Sequence, residues 1–117
     1  MRPARVLEGE RVRVDLGAGE IVRLADSQRI GDVAWREEGG AFVVEKLSID
    51  DAARGYGAGS EAARLLREYA AAEGWRTMRA WAPPDLGLAV YFWCRMGLRP
   101  LFGDGPNGGI WFERSLG

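Results

Sequence analysis

From residue 11 to residue 49 the apolar positions recur mostly at every second place; from residue 59 to residue 73 they recur at every third or fourth. Arg11-Val12-Arg13-Val14-Asp15-Leu16 alternates strictly and predicts a half-buried strand. Gly17-Ala18-Gly19 is a turn, Ile21 to Leu24 a second strand, and Asp26-Ser27-Gln28 a polar break. Ile30 to Arg36 is a third strand, with Gly31 as a candidate bulge, and Glu38-Gly39-Gly40 closes a hairpin. Ala41 to Ile49 is the fourth, and its Phe42-Val43-Val44 run suits a central strand covered on both faces. Residues 1–10 carry no period. Within Gly59 to Glu73, the residues Ala62, Leu65, Leu66, Tyr69 and Ala70 fall on one helical stripe, and Gly74 stands where a helix ends. Trp75 to Ala82 reads as a strand stopped by Pro83-Pro84. Asp85 caps a helix from Leu86 to Met96, Gly97 ends it, and short strands follow at Leu98–Phe102 and Ile110–Glu113. The order β-β-β-β-α-β-α-β-β predicts an α+β domain with a mixed sheet.

Composition changes this picture only by exclusion. The chain has 117 residues, which predicts one domain spanning 1–117 with a single core. A net charge of −1 argues against a nucleic-acid or membrane-surface partner for the protein as a whole. No histidine is present, which removes histidine-based zinc sites and Ser-His-Asp or Cys-His nucleophile systems; no metal is expected. Cys94 is the one cysteine, so no internal disulfide forms. No signal peptide or membrane span is legible, and the expected compartment is the cytoplasm.

The candidate chemistry lies in Ile49-Asp50-Asp51-Ala52-Ala53-Arg54-Gly55-Tyr56-Gly57-Ala58-Gly59-Ser60, between a strand and an amphipathic helix. Amides at a helix start are unpaired and sit at the positive end of the dipole. Glycines let an anion approach that backbone closely, and Arg54 adds a cation just ahead. The combination points to a pyrophosphate site. A P-loop would need Gly-Lys-Ser/Thr after the glycines, where this chain has Gly59-Ser60-Glu61. A dinucleotide fingerprint can be written as Gly57-x-Gly59-x-x-Ala62. It fits poorly, because the preceding strand stops near Ile49 and the upstream strands are joined by tight hairpins.

Arg54-x-x-Gly57-x-Gly59 resembles the R/Q-x-x-G-x-G/A signature of the GCN5-related N-acetyltransferase (GNAT) superfamily. Ala89-x-x-Phe92-Trp93-x-x-x-Gly97-Leu98 resembles its second block, A-x-x-F-Y-x-x-x-G-F. The two blocks stand in the family's order and spacing, and the resemblance covers roughly residues 21–115. It implies a mostly antiparallel mixed sheet with two main helices. Strands Ala41–Ile49 and Trp75–Ala82 would splay around acetyl-coenzyme A. Backbone at Leu47, Ser48 and Ile49 would pair with pantetheine. Arg54, Gly55, Tyr56, Gly57, Ala58, Gly59 and Ser60 would hold the pyrophosphate, with Trp93 against the cofactor. A backbone N–H would polarise the acetyl carbonyl, and an amine would attack directly.

Three departures from the family pattern shape the rest. The position of the family's Asn is Leu86. Its general-acid tyrosine is Trp93, whose indole gives up no proton at neutral pH. Tyr91 is an alternative acid, but on the predicted helix it faces away from the stripe Leu86, Ala89, Val90, Trp93 and Met96. Cys94 reads either as a small buried hydrophobe or as a thiol near the cofactor sulfur. The family's first two helices have no room between Leu16 and Ile21, which leaves the acceptor without a wall. With five tryptophans to place, that gap predicts exposed aromatic area and a homodimer. Glu45, expected on one face with Leu47 and Ile49, is the candidate general base, with Asp50 and Asp51 behind it. The expected protein transfers an acetyl group from acetyl-coenzyme A to a small-molecule or peptide amine. The alternative is a non-catalytic acyl-coenzyme A sensor or subunit of the same fold.

Overall fold

A computed structural model describes residues 6–55, 57–82, 92–101 and 109–116. The strands are β1 (Val6–Glu8), β2 (Val12–Asp15), β3 (Glu20–Arg23), β4 (Gln28–Glu38), β5 (Ala41–Ile49), β6 (Thr77–Ala82), β7 (Arg99–Pro100) and β8 (Ile110–Ser115). One helix, α1 (Ala58–Ala72), lies between β5 and β6. The strands form one eight-stranded sheet in the order β1-β2-β3-β4-β5-β6-β8-β7. Among the described strands only β5 and β6 pair in parallel, and α1 is the crossover such a pair requires. This is the α+β architecture expected from the sequence. The one strand the pattern did not announce is β1, three residues long with Val6 exposed.

Tight turns make the first five strands a meander. The Gly19 N–H donates to the Asp15 carbonyl at 2.8 Å, so β2 runs straight into β3. The two family helices expected to be missing there are missing. Gly39 and Gly40 both adopt positive φ (56° and 83°), as a two-residue hairpin turn demands, and Glu38 pairs with Ala41. The irregularity anticipated at Gly31 falls one residue earlier. Ile21 pairs with Gly31 and Val22 with Arg29, so Ile30 is the extra residue.

The core lies between α1 and one face of the sheet. Ala62, Leu65, Leu66 and Ala70 of α1 pack with Val12, Val14, Ile21, Val33, Phe42, Val44, Met78 and Phe112. Gly74, at φ 88°, ends α1. Its N–H donates to the Ala71 carbonyl and the Trp75 N–H to the Ala70 carbonyl, at 3.2 and 3.1 Å. That cap consumes Trp75, so β6 begins at Thr77 rather than at Trp75 as expected. The Trp75 ring closes a cluster with Trp35, Phe42 and Tyr69, with centroids 5.2 to 6.2 Å from it. No tryptophan is fully exposed. Trp93 is buried and Trp35, Trp75, Trp81 and Trp111 are half-buried; among the described residues the exposed large apolar side chains are Val6 and Leu101. Among these residues no helix is long and apolar enough to cross a membrane.

Candidate functional site

The site begins with a break in the sheet. β5 pairs with β4 along its whole length, from Ala41 opposite Glu38 to Ile49 opposite Gly31. On its other edge the ladder to β6 runs only from Ala41–Thr77 to Val44–Ala80. Beyond that point, among the described residues, Glu45 to Ser48 have no strand partner on that edge, which faces the space beside Trp81 and Ala82, and the Ile49 carbonyl takes a side chain instead. Backbone donors and acceptors in the middle of a sheet are rarely left this way. The local cause is a bulge. Trp35 pairs with Val44 and Ala34 with Lys46, so Glu45 is the extra residue on β5. A bulge sharpens the twist of its strand, and β5 leaves β6 where the bulge stands.

The bulge also resets which side chains face α1. Phe42 and Val44 face it before the bulge, Leu47 and Ile49 after it. Glu45 does not share their face as expected. Its carboxylate lies 3.5 Å from Arg36 Nε, and Arg36 is opposite Val43 on the face away from α1. The hydrogen bond to Glu38, with Glu45 beside it, holds the Arg36 guanidinium above its usual range. Glu45 is therefore an exposed carboxylate at the vertex of the fork.

The glycine loop sits at the open end of β5. The Asp50 N–H extends the sheet by donating to the Ile30 carbonyl at 2.8 Å, and Asp51–Ala53 make one 3-10 turn. Gly55 and Gly57 then adopt φ of 88° and 81°, which side chains other than glycine rarely tolerate. Gly57 caps α1 without any side-chain hydrogen bond, and the first helical bond is Glu61 N–H to the Gly57 carbonyl at 3.0 Å. The amides of Ala58, Gly59 and Ser60 thus belong to the first turn, whose N–H groups have no helical acceptor. A Cβ on Gly59 would stand 3.5 Å from both Ile49 and Phe92, which places this turn beside the fork.

Other expected site residues fall differently. Arg54 is bound within its own loop. Its Nε donates to the Ile49 carbonyl at 2.9 Å and its Nη1 lies 3.1 Å from Asp51, so the guanidinium braces the loop from within. Residues 92–95 are helical and end in the same way as α1, with Gly97 at φ 86° and the Leu98 N–H donating to the Trp93 carbonyl. Trp93 is 3% exposed and sits in the core. Cys94, one position further around the helix, is exposed and so is not the buried hydrophobe of one reading. Tyr56 and Tyr91 lie outside the described residues.

Sequence reasoning missed Glu61. This carboxylate is only 9% exposed, and its Oε2 accepts the backbone N–H groups of Arg11 and Val12, both at 2.7 Å. An acid in the first turn of a helix is the only local signal; its partners stand some fifty residues away in sequence. Glu61→Ala strands two inward-facing amides and is expected to cost about 2–4 kcal/mol of unfolding free energy, read by urea denaturation. Glu61→Gln, which keeps one acceptor oxygen, should lose less. A loss below about 0.5 kcal/mol for the alanine variant, as at an ordinary surface position, would show that this clamp contributes nothing.

No protein-family model matches the chain, and no curated protein matches it in sequence. Solved structures do match it in fold. A GCN5-related N-acetyltransferase from Brucella melitensis superposes with a TM-score of 0.79 at 14% identity, over 97% of this chain and 80% of that one. The PaiA N-acetyltransferase of Thermoplasma acidophilum, solved with coenzyme A, gives 0.71 at 15% identity, over 81% of this chain and 58% of its own. Nourseothricin acetyltransferase gives 0.71 at 18% identity, over 84% and 64%. The chain thus spans between 58% and 80% of the length of these neighbours. With its forked parallel pair, its glycine-capped crossover helix and these neighbours, the chain has the fold of the GCN5-related N-acetyltransferases.

Proposed function

We propose that this protein binds acetyl-coenzyme A in the β5–β6 fork and transfers the acetyl group to an amine of a small molecule or peptide. The observation that carries the reading is the fork itself, a strand edge at Glu45–Ser48 without a strand partner among the described residues, leading to a helix start capped by glycine. Pantetheine amides complete the edge as an added strand would, and the amides from Ala58 to Ser60 receive the pyrophosphate. A dinucleotide fold fits less well, because among the described residues every strand pair except β5–β6 is antiparallel.

The proposed reaction needs no covalent enzyme intermediate. The amine nitrogen bonds to the acetyl carbon, the carbon–sulfur bond breaks, and coenzyme A leaves as a thiolate that takes up a proton. A thiol with a pKa of about 8.5 is a fair leaving group, so water or the ammonium of the intermediate supplies that proton. Glu45, at the vertex, receives the proton the amine gives up, directly or through water. Glu45→Gln is expected to lower turnover about tenfold or more at neutral pH while the KM for acetyl-coenzyme A changes little. Unchanged turnover would remove Glu45 from the mechanism. The activity itself is tested by incubating the protein with acetyl-coenzyme A and a panel of amines and peptides, and following both free thiol and acetylated product.

One observation favours a second reading. Trp93 occupies the place of the family's acidic tyrosine and is a core side chain, so it delivers no proton. Tight coenzyme A binding with no transfer to any acceptor would support a non-catalytic acyl-coenzyme A sensor of the same fold.

A further inference from the structure

The chain has 15 arginines and one lysine, Lys46. A guanidinium keeps its proton at neutral pH, whereas a lysine amine becomes a nucleophile once it has lost one. That one lysine stands at the vertex of the fork, and the β5 bulge decides how it is presented. In a regular strand Glu45 and Lys46 would point to opposite faces. Here Glu45 is the extra residue between Val44, opposite Trp35, and Lys46, opposite Ala34. Glu45 lies 3.5 Å from Arg36 and Lys46 Nζ lies 3.9 Å from Asp32. Arg36 and Asp32 share the face of β4 away from α1, since Val33 between them packs in the core. The bulge thus brings a carboxylate and an amine, neighbours in sequence, onto one face of the sheet. On the α1 side the vertex is closed by Val44, Ala80 and Ala82, none more than 1% exposed. On the other side the Glu45 and Lys46 side chains are 48% and 60% exposed.

Lys46 is held weakly where it lies. Arg29 Nε and Nη2 bond both oxygens of Asp32, and an exposed ammonium 3.9 Å away adds little to that pair. We infer that Lys46 is a site of self-acetylation, whose Nζ takes the acetyl group of acetyl-coenzyme A bound in the same chain. The inference rests on the cofactor reading above and adds to it an acceptor that the chain itself carries. With the pyrophosphate at the start of α1 and pantetheine along the open edge of β5, the thioester comes to the vertex. A flexible four-carbon side chain one residue from the vertex sweeps that position. The ammonium gives a proton to Glu45, directly or through water. The nitrogen then bonds to the carbonyl carbon and the carbon–sulfur bond breaks. Its electron pair leaves on the coenzyme A sulfur, which takes up a proton. The product is a neutral Nε-acetyl-lysine, so a positive charge disappears from the face on which Glu45 stands.

The test incubates the protein with isotope-labelled acetyl-coenzyme A at neutral pH. Label is followed by intact mass and by mapping the peptide that carries Lys46. One acetyl group per chain is expected there, at a rate per chain that does not change with protein concentration. Lys46→Arg should remove the gain in mass, which assigns it to the side chain rather than to the α-amino group. Excess free coenzyme A, which competes for the fork, should suppress labelling. Glu45→Gln should slow it about tenfold or more, the scale of a lost general base. A Lys46 that stays unmodified while acetyl-coenzyme A raises the melting temperature overturns the inference and leaves the cofactor reading standing. Labelling that free coenzyme A leaves unchanged also overturns it, because any exposed lysine reacts that way in solution. A rate that climbs with protein concentration overturns it too, since transfer then runs between chains. A protein that neither takes up label nor is stabilised by acetyl-coenzyme A overturns the cofactor reading itself.

Discussion

Gly57→Glu is expected to abolish stabilisation of the protein by acetyl-coenzyme A. At 100 times its dissociation constant the cofactor should add about 2.7 kcal/mol to the wild-type fold, a shift easily read by thermal melting. Three effects of the substitution act together. The residue sits at φ 81°, a backbone conformation that costs a side chain roughly 1–2 kcal/mol. The new Cβ would lie 2.6 Å from Arg11 Nη1 and must displace it. The carboxylate then puts a negative charge where the proposed pyrophosphate would lie. Gly40→Ala is the control for strain alone. Gly40 has φ 83°, nothing lies within 4 Å of its would-be Cβ, and it turns a hairpin away from the loop. That variant should be less stable than wild type yet keep the full cofactor shift. A normal shift in Gly57→Glu would mean that the loop amides do not form the phosphate site.

The largest loss of stability is expected for Phe42→Ala, about 3–5 kcal/mol. A domain of this kind has only about 5–15 kcal/mol in total, so the variant should be close to unfolding. Phe42 is fully buried on β5, stacked on Trp35 at 5.1 Å and tilted against Trp75 at 5.2 Å, with Tyr69 at 6.0 Å. Its neighbours cannot move in to fill the space. Trp75 is fixed by the cap of α1 and Trp35 by the bulged pairing with Val44. Urea denaturation should give a lower midpoint at an unchanged slope. A loss under about 1 kcal/mol would mean that the aromatic cluster collapses around the gap, as loosely packed sites do.

Much of this architecture is readable from neighbouring residues alone. Strict alternation from Arg11 to Leu16 set the phase of β2, and the stripe from Ala62 to Ala70 set the face of α1. Gly39-Gly40 and Gly74 placed a hairpin and a helix end, because each conformation depends on a few adjacent dihedrals that glycine alone adopts cheaply. The glycine loop and its link to a helix start were legible for the same reason. The second sequence block gave the helix end at Gly97 and the inward side of Trp93.

Other features were not legible because they depend on partners far along the chain. Period-two alternation predicts one face for Glu45, Leu47 and Ile49. The bulge that separates them exists only in the register between β4 and β5. The loss of pairing between β5 and β6 is likewise a property of two strands joined through a 15-residue helix. Arg54 reads as a ligand cation by its position in a motif, and that a carbonyl and a carboxylate of its own loop hold it is visible only in the fold. Arg11 looked like the outward residue of a strand, and Glu61 fifty positions away turns it toward the loop. The sequence by itself determined most of the elements, their phases and the glycine loop at a helix start, since these follow from local dihedrals and hydrophobic period. The tertiary structure alone decided the fork, the face of Glu45 and the Glu61 clamp on the β1–β2 turn, since these follow from register and long-range hydrogen bonds that no local pattern encodes.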